Sequence, residues 1–486
     1  MPKQHYPIVV LGAGAAGLVV AIGAAKAGKR VLLIEKGNYG GDCTHFGCVP
    51  SKALIASAHA SHAIHSGKKY GIDIQSNSFS ADRALQRTRD IVASFVSHEN
   101  PKALKDLGVN TITGIASFTS PKNIIVTDEE GKEDAISGDH IVIATGSHPF
   151  IPDIEGLDTV PFLTNENIFD LKAIPESLAI IGAGAIGCEL GQAFQRLGAK
   201  VTVVEFLDSL IFREEPEAQE ILKSSFNNEG ITTILNHETV KVEKIENKIS
   251  LTLRNRNDKK EHVIQVSHLL VAVGRRPNLK SLDLEKAKVQ HSPKGITIDS
   301  YGRSSQKHIW AAGDVTGEAL FTHMAENRAR TILTNILLPW PLRIKLDLKQ
   351  AVPRVTFTDP EVASIGITEK EAIDTYKKQS LATYIVPFSE LDRAITAGRT
   401  EGIVKIITKK WSSKILGATI VSPRAGEMIG EISVAMHSNI PLRKLASLIH
   451  PYPSYSLAIR KAADQWLSKT IFPLLTKWIS KTPNEK

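Results

Sequence analysis

The chain has 486 residues, 42% hydrophobic and 23% charged, enough for roughly three domains of about 150 residues and for large buried cores. Its formal net charge of +8 comes from scattered lysines, without a dense basic cluster and without a zinc-finger or RNA-binding signature, so nucleic acid is not an expected partner. No run of about 18 apolar residues is free of charge, which predicts no membrane-spanning helix. From Met1 the chain passes into an apolar strand at Ile8 to Leu11, with no basic segment or cleavage site, and the expected location is cytoplasmic.

The first element is that strand, in the segment IVVLGAGAAG. An unbroken β-branched run predicts a buried parallel strand. Gly12, Gly14 and Gly17 follow, then an Ala-rich helix closed by Gly28, then a second strand, VLLIE, ending at Glu35. The same unit recurs 170 positions later: LAIIGAGAIG with Gly182, Gly184 and Gly187, a helix closed by Gly198, and VTVVE ending at Glu205. The first glycine permits a tight turn, the second lets backbone approach a pyrophosphate, and the third lets helix and strand pack closely. The helix N-terminus offers free N–H groups to phosphate. The terminal acid can accept from a ribose 2′-hydroxyl. Two such units predict two bound dinucleotides with hydride transfer between them. Glu205 favours NADH, because a carboxylate repels a 2′-phosphate; Arg213 nearby keeps NADPH as the lesser alternative.

Between the two units lies GGDCTHFGCVPSK, Gly40 to Lys52. Cys43 and Cys48 precede the run SKALIASAHASHAI, which predicts a helix. A thiol at a helix N-terminus has a lowered pKa. A redox pair, a buried thiol pair and half of a metal site are the three readings; Cys188 alone cannot complete a four-cysteine zinc site, and no metal ligands are assigned. Cys188, in the second helix, reads as a small buried residue.

The chain resembles the class I pyridine nucleotide-disulfide oxidoreductases, which include lipoamide dehydrogenase, glutathione reductase and mercuric reductase. The resemblance runs from Ile8 to about Trp466 and rests on GAGAAG, GGDCTHFGCVPSK, IVIATGSHP, GAGAIGCELG, VAVGRRPN, IWAAGDVTG and VTFTDPEVASIG. It implies an α/β fold with two Rossmann-like units and an α+β C-terminal dimerisation domain. The implied layout is an FAD domain over 1–150 and 279–347, an NAD(P) domain over 151–278, an interface domain over 348–467 and a tail over 468–486. Gly12, Gly14, Gly17 and Glu35 would bind the ADP half of FAD. Asp314, after Gly313, would bind its ribityl and phosphate part. Thr145, Gly146 and Gly274 belong to further cofactor-binding motifs. Cys48 would face the flavin, Cys43 the substrate, and Lys52, paired with Glu189, would sit near flavin N5, where a cation stabilises the reduced ring. The segment Phe321 to Ala329 looks like a helix start aimed at the flavin. Electrons would run from NADH to FAD, to the Cys43–Cys48 disulfide and on to an acceptor by thiol exchange. A homodimer with a shared active site is expected.

The C-terminal segment departs from the pattern. Lipoamide dehydrogenase and glutathione reductase carry a catalytic His with a Glu five residues on. Here those positions hold Tyr452 and Leu457, and His450 comes two residues early. A missing His–Glu dyad argues against lipoamide or glutathione as substrate. A Tyr followed by Ser or Thr is similar to mercuric reductase, although the C-terminal cysteine pair of those enzymes is missing and soft metals prefer thiolates. The expected acceptor is a disulfide or metal ion, with a dihydrolipoyl substrate, a quinone, or a non-enzymatic redox-sensing role as alternatives. His45, inside the redox loop, is read either as a solvent-facing residue or as a proton carrier for the thiolates. The tail sets Ile471, Phe472, Leu474, Leu475, Trp478 and Ile479 among Lys469, Lys477 and Lys481, which suggests packing on the dimer or a weak membrane-surface contact.

Overall fold

The computed structural model describes residues 4–73, 80–348 and 350–479. Strand β1 (Gln4–Leu11), helix α1 (Ala15–Lys26) and strand β2 (Val31–Glu35) form the first unit, with Ile8 paired in parallel to Val31 and Leu11 to Ile34. These strands are apolar because both faces are covered: Val9, Val10, Leu32 and Leu33 are essentially inaccessible. Strand Glu133–Ile143 lies beside β1, and strand Ile309–Ala311 pairs with it in turn. The chain thus leaves this sheet after Ile143 and re-enters it at Ile309.

The excursion contains the second unit. Strands Thr232–Ile234, Lys200–Val204, Ser177–Ile181 and His268–Val271 form a parallel four-stranded sheet in that order. Helix Ala185–Arg196 follows the second glycine turn as α1 follows the first. The helix ends match as well. Gly28 and Gly198 have φ of 73° and 110°, and the amides of Lys29 and Ala199 donate back to the carbonyls of Ala24 and Phe194. Glycine accepts this left-handed closure without a Cβ penalty.

A five-stranded antiparallel sheet, Arg354–Thr356, Glu361–Gly366, Ile415–Ser422, Ile403–Lys409 and Leu381–Pro387, makes the third layer. Helices Ala425–His437 and Leu457–Trp466 cover it with Ile429, Ile432, Ala458, Ile459 and Ala462. The architecture is α/β with two Rossmann-like units and an α+β C-terminal domain. Helix Leu457–Trp466 continues through a π-helical turn, Leu467–Ile471, into helix Phe472–Ile479. Thr470 is buried, within 3.3 Å of the Tyr384 hydroxyl, whereas Phe472 and Leu474 are exposed. Lys481 of the expected apolar–basic tail lies outside the described residues. Among the described residues no helix is long and apolar enough to cross a membrane.

Candidate active site

One open cavity of about 2570 Å³ runs from the first glycine turn, past the redox loop, to the second. At its first end Gly12 has φ of 102°, and a Cβ there would press on the Ala144 carbonyl. A Cβ on Gly17 would sit on the Gly12 carbonyl oxygen. The second end repeats this, with φ of 105° at Gly182 and with Gly187 closing on the Gly182 carbonyl. A Cβ on Gly184 would meet nothing within 4 Å, so backbone there is open to a ligand. The two acids also match. Glu35 accepts from the amides of Ala13 (2.7 Å) and Gly37 (3.0 Å); Glu205 accepts from those of Ala183 (2.6 Å) and Leu207 (2.9 Å). Each carboxylate is thereby fixed at the cavity wall, and its remaining lone pairs are available to ribose hydroxyls. These cradles, empty of side chains by construction, fit FAD and a nicotinamide dinucleotide.

The redox loop closes over the first turn. Gly41 has φ of 64°, and a Cβ there would come within 2.6 Å of the Gly14 Cα, so only glycine lets the loop lie against the turn. Cys43 lies in helix α2 (Gly41–His45), and Cys48 is the first residue of helix α3 (Cys48–His65). Both are free thiols. The Cys43 thiol bonds to the Cys48 sulfur, and this bond above all, together with the Thr322 hydroxyl 3.4 Å away and the Lys52 cation, draws the Cys48 pKa down to about 6 against the opposing effect of desolvation. The same bond, aided by burial, pushes the Cys43 thiol up. One sulfur is therefore held as thiolate and the other as thiol.

Behind Cys48, Lys52 Nζ bonds Glu189 Oε2 at 2.7 Å and lies 4.4 Å from the centre of the Phe357 ring. Glu189 is nearly buried, and its other oxygen accepts the Phe357 amide at 2.9 Å. A cation is thus aimed and neutralised beside the sulfur. On the opposite side Asp314, its pKa raised by burial, accepts from Ser147 Oγ at 2.6 Å. Arg275 donates to Ser147 Oγ (2.8 Å) and to Asp42 (2.8 Å), so the network ties the redox loop to the strand after Gly274. Gly274 has φ of 130° with open space around its Cα. Thr145 and Asn278 exchange bonds at 2.9 and 2.8 Å, which pins the backbone of Gly146 beside them.

Three expectations change or sharpen. His45 does not point into open solvent: it is half-buried and bonds the Tyr39 carbonyl at 2.8 Å, an anchor for the loop. Cys188 is fully buried against the Ala183 carbonyl at 3.3 Å, where desolvation pushes its thiol up. The His–Glu pair is missing at positions 452 and 457, but a different His–carboxylate contact is present: His450 Nε2 lies 3.1 and 3.2 Å from the Glu431 oxygens. The carboxylate comes from helix Ala425–His437 instead of from five residues downstream of Tyr452, so a local spacing search passes over it. Tyr452 is 72% exposed and bonds Asp392, which raises its phenol pKa. Neither Tyr452 nor His450 lines the cavity of its own chain. Thr322, Phe357, Asp42 and Arg275 join the site without having been named individually along the chain, although each lies in a segment that stands out there: Thr322 in Phe321 to Ala329, Phe357 in VTFTDPEVASIG, Asp42 in GGDCTHFGCVPSK and Arg275 in VAVGRRPN. Among the described residues no group of three or more His, Cys, Asp or Glu side chains is arranged to hold a metal ion.

Two nucleotide cradles meeting at a thiolate–thiol pair define a flavin- and nicotinamide-dependent disulfide oxidoreductase. Residues 6–329 match the model of the pyridine nucleotide-disulphide oxidoreductases and residues 352–463 match that of their dimerisation domain, so the chain belongs to this family. It is 31% identical to mercuric reductase of Staphylococcus aureus, over 94% of this chain and 82% of the relative. It is 32% identical to mercuric reductase of Streptomyces lividans (95% and 96%) and 31% identical to dihydrolipoyl dehydrogenase of Corynebacterium glutamicum (95% and 97%). The Cu(II) complex of the HOCl-induced flavoprotein disulfide reductase RclA from Escherichia coli superposes with a TM-score of 0.84 at 28% identity, over 96% of this chain and 100% of that one. The chain is an NAD(P)H-dependent FAD disulfide oxidoreductase.

Proposed function

We propose that the chain carries two electrons from NADH, by way of FAD, to the Cys43–Cys48 pair and on to a thiol-bound soft metal ion. The observation that carries this reading is the sulfur pair, with one thiolate and one thiol in the cavity and a tyrosine, Tyr452, where a disulfide substrate wants a basic histidine. Gly12, Gly14, Gly17 and Glu35, with Thr145, Gly146, Gly313 and Asp314, hold FAD in this reading; Gly182, Gly184, Gly187, Glu205 and Gly274 hold NADH. FAD supplies the hydride acceptor between nucleotide and disulfide. The residues of the chain do the rest. Lys52, fixed by Glu189, offers positive charge where the reduced ring develops negative charge. Opening the Cys43–Cys48 bond takes two electrons and one proton, leaving Cys48 as thiolate and Cys43 as thiol. The pair then ligates the metal ion, Cys43 giving up its proton; two electrons pass from the two sulfurs to the ion, the Cys43–Cys48 bond re-forms and the reduced metal leaves, while Tyr452 of a second copy closes the site in a homodimer. The domain ranges 1–150 with 279–347, 151–278, 348–467 and 468–486 are part of this proposal.

The His450–Glu431 pair supports a second reading, a dithiol substrate such as dihydrolipoamide, because an imidazole oriented by a carboxylate can take and return a substrate proton. NADH oxidation with Hg(II) in excess thiol, beside lipoamide, separates the two. Metal-dependent turnover lost in Cys43→Ser is the expected result. Turnover with lipoamide alone overturns the first reading in favour of the second.

A further inference from the structure

The loop after Glu205 is tightly held beside the second glycine turn, and several of the groups that hold it come from the C-terminal sheet. It runs from Phe206 to Glu215, and Phe206, Leu207, Ile211, Phe212, Arg213, Glu214 and Glu215 all line the cavity. Ile211 has φ of 42°, a left-handed conformation that a β-branched residue does not adopt unless its surroundings impose it. Its amide donates to the Ala183 carbonyl at 2.8 Å, inside the glycine turn itself.

The imposing groups follow directly in sequence. Glu214 is gripped by Arg354 at 2.6 Å and by Ser364, both from the C-terminal sheet, and Arg354 also donates to the Arg213 carbonyl at 3.3 Å. Glu215 is 2% exposed and bonds Lys405 at 3.0 Å. Lys405 stands on strand Ile403–Lys409 of that sheet, is itself 2% exposed, and also meets Glu217 (2.8 Å) and Glu369 (2.8 Å). The Glu369 amide caps the other Glu215 oxygen at 2.6 Å. One buried cation faces three carboxylates, two of them at the start of helix Pro216–Asn228. A buried charge cluster is weak evidence for stability, and its best-attested role is to fix register. Here the register it fixes is that of the loop carrying Arg213 past the acid Glu205.

We propose that Lys405 is a positioning residue for the nicotinamide nucleotide: through Glu215 and Glu217 it holds the loop 206–215 in the shape that NADH binds, so that the dimerisation domain sets nucleotide affinity without touching the nucleotide. This rests on the reading of the second glycine turn as the NADH site. Among the described residues the side-chain bonds and ion pairs of Lys405 go to Glu215, Glu217 and Glu369 and none to the redox loop, so its loss changes affinity and leaves the hydride step alone.

The test is anaerobic rapid-mixing reduction of the bound flavin by NADH in the full-length, FAD-loaded protein, which needs no acceptor. Lys405→Met is expected to raise the NADH concentration for half-maximal rate about tenfold, with the limiting rate within about twofold and FAD content unchanged. Because Lys405→Met strands buried carboxylates, Lys405→Met with Glu215→Gln is measured beside it, and the same rise is expected. A half-saturation within about twofold of wild type in either FAD-retaining variant overturns the proposal, as does loss of FAD from both. Glu205→Gln is the control on the underlying reading. If it too leaves half-saturation unmoved, the assignment of the nucleotide site falls. If it raises half-saturation while the Lys405 variants do not, only the positioning role falls.

Discussion

Replacing Lys52 with Met in a Cys43→Ser background isolates the electrostatics of the Cys48 sulfur. The serine hydroxyl keeps the leading hydrogen bond to Cys48 and removes the second loop thiol. The Cys48 pKa lies at about 6, well below the ordinary thiol range; the Cys43 hydrogen bond lowers it most, the Thr322 hydroxyl next and the Lys52 charge after them. Removing the Lys52 charge therefore raises the Cys48 pKa above that of the Cys43→Ser parent. The sign is that of a depressed acid: thiolate is present above the pKa and lost as pH falls through it. Near pH 6 the thiolate fraction then falls and alkylation slows, by roughly several-fold, whereas well above both midpoints the sulfur is ionised in both proteins and the rates converge. Glu189 acts in the opposite sense, raising the Cys48 pKa, so Glu189→Gln is expected to speed alkylation at pH 6 and to move the midpoint below that of the parent. The assay is the rate of iodoacetamide labelling of Cys48 against pH in the FAD-bound Cys43→Ser protein, where the other remaining thiol, Cys188, is buried. Equal midpoints in the parent and Lys52→Met, or shifts of the same sign in Lys52→Met and Glu189→Gln, refute the reasoning.

Gly17→Ala and Gly187→Ala each place a methyl on a carbonyl oxygen of their own turn. The first is expected to purify without FAD absorbance, and the second to keep FAD while NADH no longer reduces it at concentrations that saturate the parent. Thiol counting on the native reduced protein is expected to give two reactive groups, Cys43 and Cys48, with Cys188 appearing only on unfolding because it is fully buried and its ionisation is suppressed. His45→Asn is expected to leave the pH profile of turnover unchanged while lowering the denaturation midpoint by the loss of one side chain–backbone bond, about 1 kcal/mol, read in urea. A shifted pH profile in that variant shows that His45 exchanges protons with the thiolates after all.

Local chemistry makes much of this protein legible along the chain. A left-handed turn, a close helix–strand approach and a helix closure each demand glycine at a fixed place, so Gly12, Gly17 and Gly28, repeated at Gly182, Gly187 and Gly198, mark two nucleotide units in the sequence itself. Cys43, Cys48 and Lys52 are readable because all three lie within one loop and one helix turn. Their partners are not. Glu189, expected only through the family resemblance, lies 137 residues from Lys52. Arg275 lies 233 residues from Asp42 and Thr322 lies 274 from Cys48, distances over which no periodicity or spacing operates, and Phe357 is as remote from Lys52. The Glu431–His450 contact shows the limit most plainly: the carboxylate sought next to the histidine in sequence lies 19 residues earlier, on helix Ala425–His437, and only tertiary packing brings it to His450. Likewise Glu214, Glu215 and Lys405 read as ordinary surface charges along the chain. Folding buries Glu215 and Lys405 together between two domains, because a charge leaves water only where the tertiary structure brings its counter-charges to meet it.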